Sequence, residues 1–146
     1  MTTLRAGISG GGKQALAAVV QVRSHESCDI VAAHDPDPTA REHFRRTTGI
    51  GLVVPTFEEL LATGIDFVIL AGPCGVRREQ VQLAAEQGVH VLLHAPMAID
   101  LAAATAMVTT CERAQVKLGV AAWGQADPVL EQVRRMIASD WLGGPV

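Results

Sequence analysis

The chain has 146 residues, 12 of them basic and 15 acidic, for a formal charge of −3; 49% are hydrophobic and 18% charged. That length fits one domain, residues 1–146, with one good core, and the apolar fraction is that of a folded globule rather than a disordered tail. The mild acidity excludes the clustered Lys and Arg that hold nucleic acid or anionic membranes, and no apolar run reaches the roughly 18 residues that would span a bilayer. Met1 to Arg5 lead straight into a strand-like segment without a secretory apolar stretch, so the expectation is a soluble, cytoplasmic protein. Cys28, Cys74 and Cys111 are odd in number and widely spaced, which implies neither a disulfide framework nor a zinc site. The chain has no tyrosine, and its only lysines are Lys13 and Lys117. A catalytic Tyr is therefore excluded, and a catalytic Lys would have to be one of those two.

Hydrophobic periodicity predicts alternating strands and helices. Leu4 to Ile8 is a short apolar run ending in Ser9-Gly10-Gly11-Gly12. A helix follows with Leu16, Val19, Val20 and Arg23 at helical spacing, the first three apolar. Ile30 to Ala33 is a second buried run, closed by His34-Asp35-Pro36. Thr39 to Thr48, polar around Phe44, suits a solvent-facing helix. Leu52 to Val54 is a third strand, and Phe57 to Ala62 a short helix behind the cap residue Thr56. Phe67 to Ala71 is the fourth strand. The helix Val76 to Gln87 places Val81, Ala84 and Ala85 on one face and stops at Gly88. Val89 to Leu93 is the fifth strand, Leu101 to Ala114 an Ala-rich helix, Lys117 to Ala122 the sixth strand. Pro128 to Ser139 forms a last helix with Val129, Val133, Met136 and Ile137 on one face. Short strands that are apolar throughout, each followed by a helix, imply an α/β fold: a doubly wound parallel six-stranded sheet covered on both faces.

Gly10-Gly11-Gly12-Lys13-Gln14-Ala15 has the form G-x-G-x-x-A, directly after the first strand and opening the first helix. Glycine at these places permits a tight turn and lets backbone amides approach a pyrophosphate, while the small Ala15 permits close helix–strand packing. The helix N-terminus adds partial positive charge. Asp35, 25 residues after Gly10 at the end of the second strand, is placed to accept the ribose hydroxyls of an adenosine. A simple glycine turn with an acidic helix cap (Asp35 or Asp37) is the bland alternative. An unaccompanied carboxylate favours NAD over NADP, whose 2′-phosphate it would repel, although Arg41 could fold back to meet one. A rival motif, Gly7-Ile8-Ser9-Gly10-Gly11-Gly12-Lys13-Gln14, nearly matches the mononucleotide loop G-x-x-x-x-G-K-[ST]. Gln14 replaces its magnesium-binding hydroxyl, and Gly7 lies within the predicted strand.

Four blocks taken in order resemble the N-terminal domain of the glucose–fructose oxidoreductase/inositol dehydrogenase/rhizopine-catabolism (Gfo/Idh/MocA) family, a Rossmann fold. They are Ala6 to Gly12 with Asp29 to Asp35; Thr56 to Leu61 with Ile65 to Pro73; Glu79 to Leu92; and Leu118 to Val120 with Pro128 and Trp141-Leu142-Gly143-Gly144. The resemblance implies hydride transfer between a sugar or cyclitol hydroxyl and a nicotinamide cofactor. By that likeness Ser9, Gly10, Gly12, Lys13 and Gln14 belong to the pyrophosphate loop, Asp35 to the ribose, and Gly72, Pro73 and Cys74 to the nicotinamide side.

The chain also departs from the family pattern. Gly72-Pro73-Cys74 stands where the family has Thr-Pro-Asn, and His94-Ala95-Pro96 where it has Glu-Lys-Pro. The family's lysine lies beside the substrate hydroxyl and helps relay its proton, which Ala95 cannot do. The block after the sixth strand, Ala122 to Asp127, differs as well. Relatives continue into a second domain that supplies the substrate pocket, so the expectation is an oxidoreductase-like protein weak or inactive alone, or a non-catalytic binding module completed by a partner chain. The 146 residues are either a natural short relative or part of a longer gene.

Other residues carry competing readings. His94, at the carboxyl end of the fifth strand, is a candidate general acid/base or nicotinamide-carboxamide ligand, against a loop histidine bonded to backbone. His34, His90 and His94 have no metal-ligand spacing. Cys74 would become a reactive thiolate only beside a cation such as Arg77 or Arg78, and is otherwise an inert loop residue. Arg77-Arg78 and Arg45-Arg46 read as solvated helix faces. Trp123 and Trp141 would face solvent without a cover, which predicts a homo-oligomer, simplest as a dimer, joined through the last strand and helix.

Overall fold

A computed structural model describes residues 3–121, 128–139 and 143. Six strands alternate with helices: β1 (Leu4–Ser9), α1 (Lys13–Arg23), β2 (Cys28–His34), α2 (Pro38–Thr48), β3 (Val53–Val54), α3 (Phe57–Leu61), β4 (Phe67–Leu70), α4 (Arg77–Glu86), β5 (His90–His94), α5 (Leu101–Arg113), β6 (Leu118–Ala121) and α6 (Pro128–Ala138). One turn of 3-10 helix, Cys74–Val76, leads into α4. The strands form one sheet in the order β3-β2-β1-β4-β5-β6, with every pairing parallel. The chain runs outward from β1 to β3, returns to the centre as β4, then runs outward the other way. The order therefore reverses between β1 and β4, and a crevice opens at their carboxyl ends.

Both faces of the sheet are packed. On one, Ile8, Ile69 and Ala33 meet Ala15, Ala18 and Val19 of α1 and Phe44 of α2. On the other, Val68, Leu70, Val91 and Leu93 meet Leu60 of α3, Val81 and Ala84 of α4, and Met107 of α5. Alternate residues of β4 thus serve opposite layers, the burial on both sides that makes parallel strands read as unbroken apolar runs. Side chains cap three helix starts. Thr56 accepts the Glu59 amide at 3.2 Å, Asp37 that of Thr39 at 2.8 Å, and Asp100 that of Ala103 at 2.7 Å. Gly88 ends α4 at φ +72, as its position predicts.

Two side-chain expectations change. Val20 of α1 is 71% exposed, because α1 lies on the sheet by its smaller residues, Ala15 and Ala18, which bring its axis close. Arg77 is not on a solvated face: it is buried on the same stripe of α4 as Val81 and Ala84. Arg45 and Arg46 do face solvent, paired with Glu42 at 2.8 and 2.7 Å and holding its carboxyl below the usual carboxylate range through those bonds. The last helix, α6, has no buried residue, and Leu130, Val133 and Ile137 are exposed on it. Trp123 and Trp141 lie outside the described residues, as does the Ala122 to Asp127 block.

Candidate cofactor site

The crevice at the switch point is built from two loops that touch. Gly10, at φ +110, follows β1, and Gly72 follows β4; a Cβ on Gly10 would sit 2.9 Å from the Gly72 nitrogen and 3.1 Å from the Ala71 carbonyl carbon. No side chain fits at Gly10. Gly12 is the opposite case, since a Cβ there would meet nothing within 4 Å. It is also the N-cap of α1, and no side chain caps that helix. The amides of the first turn therefore open onto free space at the positive end of the helix, a place an anionic group would fill.

Asp35 closes this loop from β2. One carboxylate oxygen accepts the Gly11 amide at 2.7 Å and the other the Asp37 amide at 2.9 Å. Each carboxylate oxygen has a second lone pair, so both can still accept from a diol. Arg41, 2.9 Å from the carbonyls of both Asp35 and Pro36, braces the turn that carries the carboxylate.

Gly10, Gly12, Lys13, Gln14, Asp35, Gly72, Pro73 and Cys74 all line one cleft of about 420 Å³, whose far end is formed by Arg77, Ala95 and Pro96. His94 sits beside that end. Its Nδ1 lies 2.7 Å from the Ala95 carbonyl, the backbone bond of the simpler reading. The Cys74 thiol reaches the Pro96 carbonyl at 3.6 Å. Gly7 falls in mid-strand, where a Cβ would strike Ile65 at 2.7 Å, so it serves the packing of α3. Only Gly10 to Gly12 separate β1 from α1, too little chain for the longer mononucleotide loop.

Ser9 turns away from the glycine loop. Its hydroxyl is buried, 3.0 Å from His34 Nδ1, and accepts from Gln80 Nε2 at 2.8 Å. These three line a second cleft of about 450 Å³ that shares Gly10, Asp35, Gly72 and Pro73 with the first. Burial pushes the His34 pKa down, against the upward pull of the Asp35 and Glu58 carboxylates, with Arg41 adding to the fall. His34 also stacks edge-on against Phe57, with ring centres 5.8 Å apart. His90 accepts the Lys117 amide at 3.1 Å and so joins β5 to the start of β6. Among the described residues no group of His, Cys, Asp and Glu could hold a metal ion. No described helix is long and apolar enough to cross a membrane.

Sequence reading missed two contributors, Arg77 and Gln80. Both fall on the stripe Arg77-Gln80-Val81-Ala84-Ala85, which has the i, i+3, i+4, i+7, i+8 spacing of a buried face. The stripe was visible; its two polar members concealed its length.

A parallel sheet in this strand order, a glycine turn at its switch point and a carboxylate one strand over define a dinucleotide-binding Rossmann fold of the oxidoreductase type. Residues 4–122 match the model of the oxidoreductase family with an NAD-binding Rossmann fold, and the chain belongs to that Gfo/Idh/MocA family. D-apiose dehydrogenase of Paraburkholderia graminis is 33% identical over 84% of this chain and 33% of its own length. D-xylose 1-dehydrogenase (NADP(+)) 2 of Haloferax volcanii is 28% identical over 92% of the chain and 41% of its own length. Among solved structures, an oxidoreductase from Agrobacterium radiobacter in complex with NAD+, L-tartaric acid and magnesium superposes with a TM-score of 0.86 at 28% identity. That match covers 99% of this chain and 42% of the other. The chain thus spans well under half the length of these relatives.

Proposed function

We propose that the chain binds NAD in the 420 Å³ cleft and forms the cofactor half of a sugar or polyol dehydrogenase. The observation that carries this reading is the contrast at the glycine loop, where Gly10 has no room for a Cβ while Gly12 opens onto empty space at an uncapped helix start. Gly10, Gly12 and the first-turn amides of Lys13 and Gln14 hold the pyrophosphate, Asp35 the adenosine ribose, and Gly72, Pro73 and Cys74 the nicotinamide side. Ser9 supports the adenosine side from below through Gln80 and His34. The bound dinucleotide supplies hydride acceptance; the chain's residues orient it. NAD is the preferred form, because a 2′-phosphate would meet the Asp35 carboxylate. The proposed setting is the cytoplasm.

The chain by itself is weak or inactive as a dehydrogenase. Ala95 lines the cleft where the family likeness calls for lysine, and neither an alanine nor the backbone-tied His94 ring replaces an ammonium group. The same observation favours a second reading, a non-catalytic NAD-binding module or a subunit completed by another chain. The exposed Val120 of β6 and Leu130, Val133 and Ile137 of α6 support association on that edge, as a homodimer. Light scattering that shows only monomer at high concentration rejects the homodimer.

Calorimetry with NAD, NADP and ATP side by side tests the cofactor assignment. NAD is expected to bind most tightly, and ATP binding alone would reject the assignment. Turnover of a sugar and polyol library by the unmodified chain would reject the binding-only reading. Activity gained by Ala95→Lys would show that the missing proton relay is what silences it.

A further inference from the structure

Arg77 is 2% exposed and brings a guanidinium cation into the fold. Four of its five N–H donors go to main-chain carbonyls. Nε and Nη2 reach Gly72 O at 3.3 and 2.9 Å, and Nη1 bonds the carbonyls of both His94 and Pro96. These bonds tie the loop after β4 to the loop after β5. They satisfy the group's hydrogen bonding without neutralising it, and none of the ion pairs among the described residues involves it. Among the described residues the one carboxylate lining the same cleft, Asp35, follows β2, and strands β1 and β4 lie between it and the β5 end where Arg77 is bound.

A nicotinamide ring is cationic when oxidised and neutral when reduced, while the rest of the dinucleotide keeps its charge. We propose that the charge of Arg77, which has no ion-pair partner among the described residues, makes this cleft bind the reduced dinucleotide more tightly than the oxidised one. This rests on the cofactor reading above, with the ring at the β4–β5 end of the cleft. At the separations a cleft of this size allows, and at an effective dielectric near 20, a unit charge shifts the affinity ratio by on the order of tenfold. Because the bonds of Arg77 to the two loops affect both forms of the cofactor alike, the ratio isolates the charge from the scaffolding.

The experiment measures Kd for NAD+ and NADH by calorimetry on the unmodified chain and on three variants. The unmodified chain is expected to favour NADH by roughly tenfold. Arg77→Lys keeps the charge and loses the fork, so both affinities fall and the ratio stays. Arg77→Gln keeps donors and loses the charge, so the ratio collapses towards one. Arg77→Met covers the case in which Arg77→Gln fails to fold: it is of similar length, carries no charge and leaves no buried donor unpaired, so the ratio is again expected to fall. Equal affinities for the two forms in the unmodified chain, or a ratio unmoved by both charge-cancelling variants, overturn the role of Arg77 and leave the cofactor reading standing. Binding of neither form overturns the cofactor reading itself.

Discussion

The Asp35 carboxylate and the Gly11 amide meet at 2.7 Å, so the residue assigned to the ribose also holds the glycine loop against β2. A hydrogen bond to a charged acceptor contributes roughly 1.5–3 kcal/mol. Asp35→Ala should therefore weaken NAD binding by tenfold or more and lower stability by about 1–2 kcal/mol. NADP should lose far less, since the repulsion of its 2′-phosphate disappears with the carboxylate. Titration of both dinucleotides against the variant decides the point, and an equal loss for the two would show that the carboxylate serves only the loop.

His34 gives the stability of the chain a definite acid limb. Its pKa is lowered in the folded state by burial, despite the nearby carboxylates of Asp35 and Glu58. Below the ordinary value of 6.5 the unfolded chain takes up the proton more readily than the folded one, so stability falls as pH drops from 6.5 through the folded-state pKa. Above 6.5 both states carry neutral histidine and this contribution is level. Urea denaturation at stepped pH should show the slope in the unmodified chain and lose much of it in His34→Gln. An identical pH profile in the variant would assign the acid limb to other groups.

The polar chain behind the glycine loop is unevenly satisfied. Gln80 donates to Ser9 at 2.8 Å, while its own Oε1 is buried without a hydrogen-bond partner among the described residues. Gln80→Leu gives up one bond and removes an unpaired acceptor, so its net cost should stay within about 1 kcal/mol. Ser9→Ala strands both Gln80 Nε2 and His34 Nδ1 and should cost roughly 2–3 kcal/mol. Urea midpoints rank the two, and the reverse order would mean that Oε1 has a bound partner, such as an ordered water.

The topology was readable because the strands are short apolar runs and helices begin at Thr56 and the glycine loop, signals local in sequence. The glycine loop and Asp35 were readable for the same reason: spacing alone brings them to neighbouring strand ends. Arg77 was not. Its burial is set by where the carbonyls of His94 and Pro96 fall, 17 and 19 residues away, and a pairing across strands leaves no periodic trace in the chain. Val20 was misplaced because hydrophobicity ranks it above Ala15 and Ala18, although small residues decide which face of a helix lies closest to a sheet.

The two outer glycines of the loop separate folding from binding. Alanine at Gly10 would need φ +110 and would place its Cβ 2.9 Å from the Gly72 nitrogen, against backbone that cannot move aside. Gly10→Ala should destabilise the chain by about 2–4 kcal/mol and lose cofactor binding with the fold. Alanine at Gly12, at φ −83 and ψ −174, is unstrained and meets no protein atom within 4 Å. Gly12→Ala should leave the urea midpoint within about 0.5 kcal/mol of the parent, or slightly above it, because the unfolded chain loses freedom. Its methyl group nonetheless enters the space assigned to the pyrophosphate, so NAD affinity should drop by at least about tenfold. A Gly12→Ala chain that binds NAD as well as the parent would mean that the phosphates lie elsewhere, whatever the stability of either variant.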